Sequence, residues 1–108
     1  MLPIFNITPT ELKKKLDNKE PVFLLDVRED FEFELCHIEG SRLIPLPTLF
    51  YMIKEIPKDK EIIAICHHGH RSASACEFLM QKGYKNVKNL AGGIDAWAKE
   101  VDKSMAKY

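Results

Sequence analysis

Two uninterrupted apolar runs, Val22-Phe23-Leu24-Leu25 and Glu61-Ile62-Ile63-Ala64-Ile65, constrain this chain more than any other feature. A strand with one wet face alternates apolar and polar residues, whereas these runs offer no polar side to water. Each must therefore be covered on both faces, the condition of strands inside a parallel sheet. The segments around them alternate in the same sense. Ile4-Phe5-Asn6-Ile7, Arg42-Leu43-Ile44 and Asn86-Val87-Lys88-Asn89-Leu90 read as further strands. Thr8-Pro9-Thr10-Glu11 is a capping box with proline at the first helical position, so a helix runs from there to about Asp17. Pro47 to Glu55, with an apolar stripe of Leu49, Phe50 and Ile53, reads as a helix, as do Ser72 to Lys82, closed by Gly83, and Gly93 to about Val101. The expectation is an α/β fold: a mostly parallel central sheet of about five strands with helices on both faces. In such folds ligands bind beyond the carboxyl ends of the strands, and the two apolar runs end at Asp26 and Cys66.

With 108 residues there is room for one domain, its core over about residues 4–100 and residues 101–108 left as a surface helix end or frayed tail. Sixteen basic residues balance sixteen acidic ones, which excludes the basic face that a nucleic-acid binder needs. No apolar stretch approaches the roughly 20 residues of a membrane span, and MLPIFNITPT lacks the layout of a signal peptide. A cytoplasmic location is expected. Cys36, Cys66 and Cys76 are odd in number and widely spaced, which fits free thiols in a reducing compartment better than a disulfide framework.

The segment Cys66-His67-His68-Gly69-His70-Arg71-Ser72 holds three of the four histidines of the chain. A lone cysteine at a strand end is ordinarily a small core residue, but imidazoles and a guanidinium would be an expensive way to finish a core strand. A thiol becomes a nucleophile as thiolate, a form favoured by helix N-terminal dipoles, backbone amides and cations. Here the chain leaves a strand, turns and enters a helix near Ser72, so successive N–H groups can converge on the sulfur. Gly69 opens backbone angles closed to other residues, and Arg71 adds positive charge. A metal centre is disfavoured, because consecutive Cys66, His67 and His68 lack the spacing of zinc ligands and no second pair follows. Four residues separate Cys66 from Arg71, one fewer than in the signature of cysteine phosphatases, so the loop favours a single sulfur atom over a phosphoryl group.

Four stretches, taken in order, resemble the rhodanese-like sulfurtransferases over nearly the whole length. They are Leu25-Asp26-Val27-Arg28-Glu29; Glu32-Phe33-Glu34-Leu35-Cys36-His37-Ile38-Glu39-Gly40-Ser41; the loop Cys66 to Ser72; and Leu90-Ala91-Gly92-Gly93-Ile94-Asp95-Ala96-Trp97. The resemblance implies a rhodanese-like domain that moves sulfane sulfur from thiosulfate or a persulfide to a thiol or cyanide acceptor. Cys66 would carry the sulfur as a persulfide, and the amides of His67, His68, Gly69, His70, Arg71 and Ser72 would cradle it. Asp26, Arg28 and His37 are expected to support the loop, and neither metal nor cofactor is called for. Protein donors or acceptors are possible partners. A protein-binding or sulfur-carrier module on the same scaffold is the alternative reading, with phosphatase or arsenate reductase chemistry behind it.

Three features of this sequence depart from the pattern or stand apart from it. Members of the family often place Arg, Lys or Gln after the cysteine, whereas His67 and His68 are mostly neutral at pH 7, leaving a less cationic pocket. Cys36 stands where the family usually has glycine; it is expected either to pack as a small side chain or to act as a resolving thiol, and to be strained if the position needs a positive φ. Cys76 and Trp97 are expected in the core, and the acidic stretch Glu29 to Glu34 as a short helix with a wet face.

Overall fold

The computed structural model describes residues 3–108. Its strands are β1 (Asn6–Ile7), β2 (Val22–Asp26), β3 (Arg42–Leu43), β4 (Glu61–Ile65) and β5 (Val87–Leu90), and its α-helices α1 (Pro9–Asp17), α2 (Asp30–Leu35), α3 (Leu49–Met52), α4 (His70–Gln81) and α5 (Gly93–Glu100). The five strands form one sheet in the order β1-β5-β4-β2-β3, and every pairing is parallel.

The apolar runs lie side by side at its centre, Leu25 opposite Ala64 and Asp26 opposite Ile65. The period of two along β4 then divides its side chains between two cores. Ile62, Ala64 and Cys66 join Leu25, Ala75, Cys76 and Leu79 on one face, while Ile63 and Ile65 join Leu12, Leu90, Ile94 and Trp97 on the other. Helices α3 and α4 cover the first face and α1 and α5 the second. Cys76 and Trp97 are thus core residues as expected, and burial, with Cys66 adding to it, pushes the Cys76 thiol up to about 12. No helix among the described residues is long and apolar enough to cross a membrane.

The expected helix from Pro47 to Glu55 is instead three short pieces, with 3-10 turns at Leu46–Thr48 and Ile53–Glu55 flanking α3. Pro47 sits in the first piece, and Met52 departs from helical angles (φ −114°, ψ 12°) where the second gives way to the third. The stripe breaks with it: Leu49 is buried, but Phe50 is 63% exposed. Helix α2 is short and has its expected wet face at Asp30 and Glu34, but one acid is an exception. Glu32 is 4% exposed, its carboxylate turned inward. The segment 101–108 is not left at the surface either, since Val101 and Met105 pack on the α1/α5 core.

Two segments distant in sequence approach through Gly92-Gly93. The α5 amides of Ile94 and Asp95 donate to the carbonyls of Cys66 (2.8 Å) and His67 (3.1 Å). Gly93 has φ +62°, and a Cβ there would lie 2.4 Å from both carbonyl oxygens. Gly93→Ala should therefore cost at least about 3 kcal/mol, read as a drop of more than about 10 °C in Tm; an unchanged melting curve would contradict the close approach.

Candidate active site

Strand β4 delivers Cys66 to the carboxyl edge of the sheet, and helix α4 begins only four residues later, at His70. The helix starts earlier than the expected Ser72 because Gly69, at φ +105°, turns the chain directly into its first residue. Cys66 is 1% exposed, as a core residue would be, yet its sulfur is ringed by donors. The Gly69 amide donates to Sγ at 3.1 Å and the Ser72 amide at 3.3 Å, and the Ser72 hydroxyl lies 3.2 Å away. Gly69 caps α4 and Ser72 is its third residue, so the sulfur takes the place of a capping side chain on amides that no carbonyl within the helix can satisfy. The positive end of the helix dipole favours negative charge there.

Asn89 of β5 fixes both donors. Its Nδ2 donates to Gly69 O at 3.0 Å, which settles the orientation of the amide, and its Oδ1 accepts the Ser72 hydroxyl. This polar residue, 6% exposed, was legible only as a strand position in the sequence. Its place two residues from the apolar Val87, on the same side of the strand, was the available signal.

Arg71 turns away from the sulfur to Glu32, with its two terminal nitrogens at 2.6 and 2.8 Å from the carboxylate. Glu32 also accepts the Glu29 amide and the Tyr108 hydroxyl. Arg71 above all, despite burial, holds the Glu32 carboxyl well down, at about 2. Asp26 and Arg28 form a pair with both side chains at 0% exposure, and Arg28 reaches on to the Glu32 and Cys36 carbonyls and the Tyr108 hydroxyl. His37 is different. It is exposed, stacks on Phe33 at 3.9 Å and bonds Phe33 O through Nδ1 at 2.8 Å, so its contacts lie along α2.

His67 and His68 stack on each other at 4.0 Å, and Tyr108 stacks on His67 at 3.9 Å. Burial and then His68 push the His67 imidazole below its ordinary value, in line with a weakly cationic loop. His70 is exposed at the start of α4. Cys36 has φ −168°, extended backbone without strain, and its carbonyl accepts Arg28 while its side chain leans on the α1/α5 core. The C-terminal segment expected to be a tail places Tyr108 against Arg28, Glu32 and His67 together.

The depressed Glu32 fixes the sign of an acid effect. A carboxyl held near 2 in the folded chain and at about 4.5 when unfolded adds stability that is complete above 4.5 and is lost as pH falls towards 2. Glu32→Gln should cost about 2 kcal/mol at pH 7, after allowance for solvent screening at the part-exposed Arg71. The gap from wild type in urea unfolding should close as pH falls from 4.5 to 2; a gap independent of pH would refute the ionic origin.

A rhodanese-like domain model matches residues 8–100. A sulfurtransferase of Allochromatium vinosum is 39% identical over 93 residues, covering 86% of this chain and 87% of that protein. A probable adenylyltransferase/sulfurtransferase of Mycobacterium tuberculosis is 36% identical over 104 residues, 94% of this chain, and there the chain spans only 26% of the relative's length. The crystal structure of a rhodanese-related protein from Thermoplasma volcanium superposes with a TM-score of 0.82 at 37% identity, covering 90% of this chain and 93% of that one. With the parallel sheet and the loop after its central strand, these matches make the chain a member of the rhodanese-like domain family, whose relatives here are sulfurtransferases.

Proposed function

We propose that this protein transfers sulfane sulfur through a persulfide on Cys66. The observation that carries the reading is the pair of amides, from Gly69 and Ser72, directed at a sulfur that the surrounding core would otherwise leave without partners. In the first half-reaction the Cys66 thiolate attacks the outer sulfur of thiosulfate or of a persulfide. The donor's sulfur–sulfur bond breaks, and sulfite or a thiolate leaves with the bonding pair. In the second, a thiol, cyanide in an assay, or a protein acceptor attacks the terminal sulfur and releases the Cys66 thiolate. The protein's contribution is preorganised donors around the sulfur, which need no rearrangement as charge develops.

Ser72 links this cradle to Asn89. Its hydroxyl carries one proton and faces two acceptors, the Asn89 carbonyl oxygen and the Cys66 sulfur. A protonated thiol donates to Ser72 while Ser72 donates to Asn89. An anionic sulfur competes for the Ser72 proton. Arg71, paired with Glu32, fixes the first turn of α4, and so the Ser72 amide, rather than touching the donor. A reducing, cytoplasmic setting suits three free cysteines.

Incubation with thiosulfate followed by intact-mass measurement should show one added sulfur on the wild type and none on Cys66→Ser. An unmodified wild type, with thiosulfate and with glutathione persulfide alike, would leave the protein-binding reading in its place. Asn89→Ala should lower kcat/KM for sulfur transfer about tenfold, equivalent to about 1.4 kcal/mol, with the far-UV spectrum unchanged.

A further inference from the structure

The face of the loop turned away from the sulfur carries a second set of converging groups. His67 and His68 do not splay to opposite sides as neighbours in an extended chain do; their rings stack at 4.0 Å, and one nitrogen from each lies within 4.8 Å of the other. A third donor comes from another element. The Asp95 amide is held by the His67 carbonyl at 3.1 Å, which sets its carboxylate beside the imidazoles, with Oδ2 3.9 Å from His68 Nε2. One ligand atom from each of His67, His68 and Asp95 lies within 4.8 Å of the others. The sequence disfavours a metal because Cys66, His67 and His68 are consecutive and no second pair follows; Asp95, on α5, reaches the loop only through the fold.

We propose that His67, His68 and Asp95 form a site for a zinc-class divalent cation on the outer face of the Cys66 loop. Two imidazoles and one carboxylate, with a fourth position left for water, are a donor set that suits zinc, cobalt, nickel or copper and not magnesium or calcium, which take oxygen ligands. Ligand bonds of about 2.0–2.2 Å require the three donors to draw inward by roughly an ångström. His68 and Asp95 have that freedom, with side chains 56% and 23% exposed, while His67 is the fixed ligand, clamped by the Tyr108 ring. The present partner of Asp95 is Lys99 at 3.0 Å, a cation 61% exposed that swings into water when a dication replaces it. The Cys66 sulfur faces the opposite side of the loop, into the α4 amides, and takes no part.

Binding is measured on Cys66→Ser, which keeps the loop but cannot hold a persulfide, so the result is independent of the sulfur-transfer reading. Titration with cobalt(II) after chelator treatment should give the visible absorption of a four-coordinate ion at one equivalent, and zinc should displace it. His68→Ala and Asp95→Asn should each weaken binding at least tenfold, and His37→Ala should leave it unchanged. His68 is a surface side chain and Asp95→Asn keeps the shape of its part-buried residue, so thermal melts of these variants should stay within about 5 °C of the parent. Binding in the wild type that vanishes in Cys66→Ser would assign the ion to the thiol and overturn the site. So would affinity unaltered by Asp95→Asn, or no binding of cobalt or zinc at 100-fold excess over protein.

Discussion

The end of β2, helix α2 and Tyr108 meet on one guanidinium that lies out of reach of water. Arg28 and Asp26 are both fully buried, and two charges taken out of solvent cost several kcal/mol each unless every polar atom is satisfied. Here the accounting is complete. Nε and one terminal nitrogen grip the Asp26 carboxylate at 2.9 and 2.7 Å. The remaining three hydrogens go to the carbonyls of Glu32 and Cys36 and to the Tyr108 hydroxyl. All five N–H groups of the side chain are used. Burial opposes the charge, but these bonds outweigh it and hold Arg28 protonated. One side chain thus joins the end of β2 to the last turn of α2 and to Tyr108. Its removal would leave the buried Asp26 without a counter-ion and take a donor from each of the Glu32 and Cys36 carbonyls, which is why Lys, with three donors on one nitrogen, could not substitute.

From this base a chain of ionic contacts runs to α4. Tyr108 bridges Arg28 and Glu32 through its hydroxyl, and Glu32 grips Arg71 in the first turn of that helix. The loop is therefore clamped from two directions: α2 through Arg71, and α5 through its amides on the Cys66 and His67 carbonyls. A cradle for an anion is useful only if its donors stay fixed when charge arrives, and neither clamp depends on the loop's own side chains apart from Arg71.

The α/β class was legible because it rested on β2 and β4, whose runs of apolar residues admit no other solution. The Thr8 capping box and the Gly83 ending were legible for a similar reason, since both are local hydrogen-bonding patterns. Elements whose form depends on distant partners were not. The piece around α3 has helical composition but bends where prolines and the core meet. Glu32 looked wet because four acidic residues within the six from Glu29 to Glu34 imply a solvated face, and only the arrival of Arg71, 39 residues away, brings it inside. Cys66 could be singled out from its neighbours in sequence, but Asn89 and Tyr108 touch the site only across the sheet and through a returning segment.

Gly92-Gly93 reconciles the two sides of the loop. Where β4 ends and the chain turns towards α4, its carbonyls leave the ladder of the sheet and need other donors. Those of Cys66 and His67 would lie buried without donors were it not for the first turn of α5, whose own free amides need acceptors. The two helix starts therefore complement each other: α4 gives its amides to the sulfur, and α5 gives its amides to the carbonyls displaced by that turn. Backbones can come this close only where no side chain intervenes, and the glycine that permits the contact also carries Asp95 to the imidazoles of the outer face.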